Sequence, residues 1–183
     1  MTYLAQAGSI ADPITILKSQ SAVVESAQAF MAEYDLPDIV FGGLMMILIL
    51  FVHGFNMAMV NRYYVWESAR LLSKKLYWLV EAIFYLSIVC IMMAHVLEIG
   101  IWSYAIFKAG LANNMREAVI FCGNTYTTVG YGQDILPVGW KLLTTIIALS
   151  GMFCFAWTTS VMLGMMKIYQ EARLERRGLV TDD

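Results

Sequence analysis

Charged residues are scarce in this chain. Asp, Glu, Lys and Arg make up 14% of its 183 residues, while hydrophobic residues make up 60%. Soluble domains carry about 25% charged residues, so this balance favours a membrane protein. The formal net charge is −2 and no basic patch interleaved with aromatic residues is present, so we predict no nucleic-acid partner.

Catalytic and metal-binding motifs are also absent. Without a Ser-His-Asp or HExxH arrangement, we predict that the chain is not an enzyme and needs no cofactor. Cys90, Cys122 and Cys154 lack paired ligand spacing and lie in apolar segments, which predicts buried free thiols. No apolar segment carries arginine at every third position, which excludes a voltage-sensor helix. Residues 1–9 lack a basic region followed by an apolar core, so no cleavable signal peptide is predicted.

Long apolar runs are what the chain has instead. Three of them, at 38–60, 76–107 and 138–166, meet the roughly 20 residues that a spanning helix needs. The run at 114–126 is too short to span and leads directly into Thr128-Val129-Gly130-Tyr131-Gly132. This order predicts a re-entrant half-helix followed by an extended loop. Irregular backbone at membrane depth is possible only where protein or water surrounds it.

The loop that follows the half-helix has the composition of an ion-binding strand. A run of backbone carbonyls that point at one axis can replace the hydration shell of a potassium ion. Gly130 and Gly132 permit the backbone angles that such alignment needs. Thr128 adds a hydroxyl at the inner end, and we expect Val129 and Tyr131 to turn their side chains away and brace the loop. The sequence therefore predicts that potassium ions bind at Thr128 to Tyr131, the alternative being a simple tight turn.

The half-helix at 114–126 has a recognisable start. Asn114 can cap it, and Glu117 can reach back in a capping-box-like exchange. The negative end of the helix dipole would then point at the membrane centre, where it favours a cation.

Basic residues predict the orientation of the chain. Eight of the 12 Lys and Arg residues lie either between 61 and 75 or after 166. By the positive-inside rule both segments face the cytoplasm, while the N-terminus and the mouth of the loop face outward. We therefore predict a multi-pass protein of the cell (inner) membrane. The tail at 167–183 is too short for a folded regulatory domain, but it is long enough to continue the last helix.

The segment 1–37 precedes the first span and has a different pattern. Asp12-Pro13 is typical of a helix start, apolar residues follow at helical spacing, and Leu36-Pro37 ends the run. We predict an external amphipathic helix at the membrane interface or packed on the rest of the protein. Its acidic residues either enrich cations near the mouth or form a solvated face.

The segment from about 76 to 166 resembles the pore domain of tetrameric potassium channels. More narrowly, the sequence resembles a family of small bacterial potassium-channel-like proteins that carry an extra N-terminal transmembrane helix. The marks of that group are His53-Gly54, His95-Val96-Leu97-Glu98-Ile99 with Trp102, Tyr126-Thr127-Thr128 with Leu136-Pro137, and Trp140-Lys141-Leu142-Leu143. The resemblance implies an all-α membrane protein with three transmembrane helices, a re-entrant pore helix and a TVGYG selectivity filter. It also implies a homotetramer, because one chain supplies one filter strand and four strands ring an ion.

The resemblance assigns further residues to the support of the filter. In such channels an acidic residue usually follows the filter directly, whereas here Gln133 comes first and Asp134 second. Many carry a glutamate in the pore helix where this chain has Asn124. We predict that Asn124, Thr127 and Asp134 support the filter, and that the two departures alter its stability and inactivation.

In the last span, Gly151 matches the position where inner helices often hinge, and close helix packing is an equal alternative. Met152, Phe155, Thr159 and Leu163 share one helix face. By resemblance this face lines the cavity below the filter. The alternative is a face that contacts lipid or another helix.

Ionisable residues inside the predicted spans need partners, because unpaired charge in a membrane is costly. His95 and Glu98 lie on one helix face, and we predict that they brace the pore helix or filter through Asn124, Thr125 or Arg116. A proton-sensing role for His95 is an alternative. His53 and Glu81 fall at similar predicted depth, and we hypothesise that they pair.

These patterns favour a potassium-selective channel that conducts passively, with lipid and potassium ions as its other partners. The alternatives are a weakly selective cation channel, a non-conducting membrane interaction protein, and a redox protein that holds haem between two histidines. The haem alternative requires His53 and His95 at matched depth, and helix-rise arithmetic predicts that they lie roughly 15 Å apart.

Overall fold

The computed structural model describes residues 17–26, 36–132 and 135–178. Residues 17–26 are helical (α1) and exposed. Four further helices follow: α2 (Leu36–Ser73), α3 (Tyr77–Lys108), α4 (Met115–Tyr126) and α5 (Leu142–Arg176). The described residues contain no strand. Leu36-Pro37, predicted to end the amphipathic segment, instead begins α2, and the rest of that segment outside 17–26 lies beyond the described residues.

Three of the described helices, α2, α3 and α5, are long and apolar enough to cross a membrane. Two of them outrun the predicted spans. The first continues past residue 60 to Ser73, and the last continues past residue 166 to Arg176. The charged residues that mark the edge of a hydrocarbon core do not break a helix, because their side chains favour helix about as well as leucine does. At 1.5 Å per residue α2 is about 57 Å long, against the roughly 30 Å of a bilayer core.

The N-terminal span α2 packs against both helices of the pore region, α3 and α5, along most of their length. Three hydrophobic clusters succeed one another along the bundle. The cluster nearest the filter is centred on Trp102, Tyr126 and Ile147, the middle one on Met57, Phe84 and Met165, and the third on Leu71, Val80 and Ala172. Because each cluster takes side chains from several helices, α2 is an integral part of the core.

Close approach of α2 to α5 depends on a glycine. A Cβ atom placed on Gly54 would lie 2.7 Å from the Cη2 atom of Trp157. The missing side chain therefore lets the α2 backbone reach the indole, as small residues commonly do between membrane helices.

Polar contacts join the helices at both ends of the bundle. At the filter end, Asp38 of α2 accepts a hydrogen bond from the backbone N–H of Leu142 at 3.2 Å and so caps α5. In the middle cluster, the Tyr64 hydroxyl donates to the carbonyl oxygen of Met165 at 3.2 Å. At the end opposite Asp38, Arg176 lies 3.1 Å from Glu81, so the predicted pairing of Glu81 with His53 is wrong.

The cysteines differ in their surroundings. Cys122 and Cys154 are buried, whereas Cys90 is exposed. The prediction of three buried thiols is therefore wrong for Cys90. An apolar residue in a membrane helix can face outward, so an apolar sequence context does not imply burial within the chain.

Candidate pore and filter site

The pore helix α4 begins as its sequence predicts. The Asn114 side chain accepts a hydrogen bond from the backbone N–H of Glu117 at 2.9 Å, which confirms the N-cap. The Glu117 carboxylate reaches back, but it accepts from the backbone and side chain of Asn113, at 3.3 and 3.2 Å. This exchange satisfies two donors at the helix start and fixes the direction in which α4 leaves the loop.

The segment after α4 is anchored to the end of that helix. The Thr127 hydroxyl donates to the carbonyl oxygen of Gly123 at 2.7 Å. The backbone N–H of Thr128 donates to Thr125, and that of Gly130 donates to Asn124, at 3.0 and 3.2 Å. The last carbonyls of α4 are therefore occupied by amides of the segment that the sequence identified as a filter.

Backbone angles along this segment alternate in sign. Thr128 and Gly130 have φ of 58° and 66°, whereas Val129 and Tyr131 are not among the residues with positive φ. A positive φ at every second residue keeps the segment from continuing α4 as a regular helix. For the β-branched Thr128 the left-handed region is strained by about 1–3 kcal/mol, and such strain persists only where the surroundings impose it.

The whole segment 128–132 is exposed in the single chain, with Tyr131 84% accessible. Within the described part of the chain, no hydrogen bond ends on its carbonyl oxygens. Backbone carbonyl oxygens that are free along one irregular segment can serve as ligands for a hard cation.

Of the predicted support residues, Asn124 lies against the filter segment at two points. Its backbone carbonyl accepts from Gly130, and its side-chain nitrogen lies 3.3 Å from where a Cβ of Gly132 would be. Asp134 and the preceding Gln133 lie outside the described residues.

Behind the filter lies a cluster of five buried polar side chains drawn from four helices, which we call the buried cluster. Glu98 of α3 accepts hydrogen bonds from Nδ1 of His53 at 2.8 Å and from the hydroxyl of Tyr126. Nδ1 of His95 lies 3.0 Å from the same hydroxyl, and its Nε2 lies 3.0 Å from the hydroxyl of Thr158. The members are His53, His95, Glu98, Tyr126 and Thr158, each no more than 8% exposed.

This arrangement corrects the predicted partners. His53 pairs with Glu98, not with Glu81. His95 and Glu98 do contact the pore helix, but through Tyr126 instead of Asn124, Thr125 or Arg116.

The predicted depths of the two histidines are also wrong. Their ring centroids lie 5.3 Å apart. Placing the end of the first span at residue 60 put His53 too close to one membrane face, whereas a helix that runs to Ser73 puts it near the middle. The rings are 0% and 3% exposed and their nitrogens are occupied by protein groups, which leaves no room for a haem plane.

The buried cluster also brings potential metal ligands together. Atoms of His53, Glu98 and Cys154 lie within 4.8 Å of one another. The imidazole and the carboxylate already satisfy each other, so the cluster is complete as a hydrogen-bonded unit.

The four residues predicted to share a face of α5, Met152, Phe155, Thr159 and Leu163, are all exposed. Phe155 also stacks on His95, with ring centroids 4.5 Å apart. The Thr159 hydroxyl bonds to the Phe155 carbonyl oxygen at 2.9 Å. This face is therefore open beside the filter, and one of its side chains covers the buried cluster.

Gly151, one residue before that face, is buried beneath the pore helix. A Cβ atom added there would collide with the carbonyl oxygen of Tyr126. This contact favours close packing over a hinge as the reason for glycine at this position.

Comparison with protein families matches residues 45–167 to the family described as ion channel. The chain belongs to this ion channel family. The match covers most of α2 as well as the pore region. Comparison with curated proteins and with solved structures found no match. With three membrane-capable helices, the channel is a multi-pass membrane protein.

Sequence reasoning assigned no contact to two buried residues that join the helices. Tyr126, which bonds Glu98 in the buried cluster, was noted only within the mark Tyr126-Thr127-Thr128. Asp38 was read only as the start of a span. His53, His95 and Glu98 were the sequence signal for the buried cluster. Polar residues inside membrane spans are costly to bury alone, so they are expected to pair with one another.

Proposed function

We propose that this ion channel conducts potassium ions passively and selectively through a filter formed by residues 128–132 of four copies of the chain. The observation that carries the proposal is the exposed row of unpaired carbonyls at the end of α4. Ions would bind at the carbonyl oxygens of Thr128 to Tyr131, which stand in for the hydration shell.

A single chain cannot hold such an exposed, non-helical segment in contact with lipid. Non-helical backbone at that depth is tolerated only when protein or water encloses it, and residues 128–132 are left exposed by the part of the chain that the structure describes. A cleft of about 710 Å³ runs alongside, lined by α4, the filter and the start of α5. Further copies around a central axis would fill the cleft and give each Val129 and Tyr131 a neighbour to pack against.

The surroundings of the filter favour a cation. The C-terminal end of α4 aims the negative end of its dipole at the base of the segment. The open face of α5, with Thr159 and Leu163, would line a water-filled cavity below. The backbone carbonyl of Asn124 accepts from Gly130, so the filter is held at this point by a neutral hydrogen bond.

The orientation proposed is an external N-terminus and a cytoplasmic C-terminus in the cell (inner) membrane. The ends of α2 and α5 that carry most basic residues lie together, since Leu71 of α2 and Ala172 of α5 belong to one hydrophobic cluster. The positive-inside rule assigns that shared end to the cytoplasm.

The deciding experiment is ion flux from liposomes that contain the purified channel, with potassium and sodium compared in parallel. Gly130→Ala should abolish the flux, because alanine resists the positive φ of 66°. Gly110→Ala is the matched control, since Gly110 has φ of 72° with open space around it and lies outside the filter.

Potassium flux well above sodium flux, lost in Gly130→Ala and kept in Gly110→Ala, supports the proposal. Equal flux of both ions would replace it with a weakly selective cation channel. A preparation that sizes as a monomer or dimer by light scattering and conducts nothing would refute it.

A further inference from the structure

Three of the polar contacts that join α2 to the pore region differ in what their partners are bonded to. Asp38 contacts the backbone at the start of α5, and Tyr64 contacts the backbone of Met165 in the middle cluster. His53, between them in the chain, contacts a side chain that is itself bonded to the last residue of the pore helix. Among these three contacts of the described residues, the one made by His53 leads to the filter.

Tyr126 is held at both ends. Its hydroxyl lies in the buried cluster, and its backbone carbonyl rests on Gly151. The next residue, Thr127, is the C-cap of α4, and the backbone N–H of Thr128 donates to the carbonyl oxygen of Thr125. A shift of the Tyr126 ring therefore displaces the backbone from which the strained Thr128 starts.

Hydrogen-bond counting assigns the protons in the cluster. The Tyr126 hydroxyl has one proton and donates it to Glu98, so Nδ1 of His95 must be the donor in its contact with that hydroxyl. Nε2 of His95 then accepts from Thr158, whose hydroxyl oxygen also lies 3.4 Å from Nε2 of His53. Nδ1 of His53 donates to the other oxygen of Glu98, so each oxygen of this carboxylate takes one proton donor, one from α2 and one from α4.

Loss of the His53 donor would leave one oxygen of Glu98 buried without its partner. The imidazole that remains beside the carboxylate is His95, whose Nδ1 lies 3.5 Å from the oxygen of Glu98 that Tyr126 bonds, so the carboxylate would have to turn to share it. Recruiting that nitrogen would take it from Tyr126. Because an unpaired buried oxygen is expensive, the rearrangement should propagate to Tyr126 and the filter.

We propose that His53, on the extra helix α2, is a positioning residue for the filter, acting through Glu98 on the Tyr126 hydroxyl. This inference rests on the proposed potassium-selective function. It gives α2 an indirect role in ion selection, through the side chains of Glu98 and Tyr126.

The test measures the potassium-to-sodium permeability ratio of the channel in liposomes, together with its oligomeric state. His53→Phe keeps a ring but removes the donor. His53→Asn is the conservative variant, because the asparagine amide can donate from near the position of Nδ1. Tyr64→Phe is the control, since it removes another buried α2 hydrogen bond, far from the filter.

We expect His53→Phe to lower the permeability ratio by up to about tenfold, the factor that corresponds to the full loss of one charge-assisted hydrogen bond. His53→Asn should restore most of it, and Tyr64→Phe should leave it unchanged. An equal loss in His53→Phe and Tyr64→Phe would overturn the inference, because a general loosening of α2 would explain both. An unchanged ratio in His53→Phe would overturn it as well.

If His53→Phe does not assemble, the double variant His53→Phe/Glu98→Leu carries the same test. It removes the unpaired carboxylate, and replacing a buried pair by apolar residues commonly preserves stability. A normal ratio in an assembled double variant refutes the role of His53. Failure of the unmodified channel to select potassium would instead refute the proposed function, so the two failures are distinguishable.

Discussion

The backbone carbonyl of Tyr126, the last residue of the pore helix, rests directly on Gly151 of α5. The two helices can meet this closely only because position 151 carries no side chain. The inner helix therefore sets the depth at which the pore helix ends, while the buried cluster holds the tyrosine ring from the other side.

Gly151→Ala should destabilise the assembled channel, because the new methyl group would have to push the end of α4 away from α5. Overpacking of this kind costs about 1–3 kcal/mol. The measurement is the thermal transition of the oligomer in detergent. Gly164→Ala is the matched control on the same helix, where a Cβ atom meets nothing within 4 Å; it should be neutral or stabilising. Tolerance of Gly151→Ala with reduced conduction would instead favour the hinge.

Two glutamates on α3 provide a second contrast. Glu98 is fully buried and accepts from two donors, whereas Glu81 is partly exposed and pairs with an exposed arginine. Glu98→Gln turns one acceptor into a donor that faces another donor, so we expect a loss of about 3 kcal/mol or more. Glu81→Gln should cost less than about 1 kcal/mol. If Glu98→Gln and Glu81→Gln lost the same thermal stability, burial would not determine the cost of replacing these glutamates.

Local patterns in the sequence were enough to locate the spans, the pore helix and its cap. Asn114 and Glu117 lie within one helical turn, so their contact follows from spacing alone. Contacts between helices did not follow in the same way. His53 meets Glu98 across 45 residues of chain, and the error came from one misplaced helix end. A helix boundary set by charge marks the edge of the hydrocarbon core and not the end of the helix.

The start of the pore helix gives a third prediction. Asn114→Ala removes the acceptor for the Glu117 N–H and should cost about 0.5–2 kcal/mol of stability. Asn114→Asp should restore it, since a carboxylate both caps the helix and favours its positive end. Amide hydrogen exchange of residues 115–118 measures the effect locally. Unchanged protection in Asn114→Ala would mean that packing alone fixes the start of α4.

The cap that α2 supplies to α5 gives the last prediction. No side chain of its own neighbourhood caps α5 at Lys141, and Asp38 reaches its first N–H from another helix. Asp38 is 2% exposed, and its second carboxylate oxygen has no hydrogen-bond partner within the described residues. The carboxylate therefore gains the cap and the favourable helix dipole but loses hydration.

Because of this balance, Asp38→Asn should be nearly neutral: the amide keeps an acceptor for Leu142 and removes the buried charge. Asp38→Ala should cost about 0.5–2 kcal/mol, the usual cost of losing a cap. Thermal stability of the oligomer measures both, and proteolysis near 141 reports fraying of α5. If both variants were equally destabilised, the charge of Asp38 and not its hydrogen bond would be what joins α2 to α5.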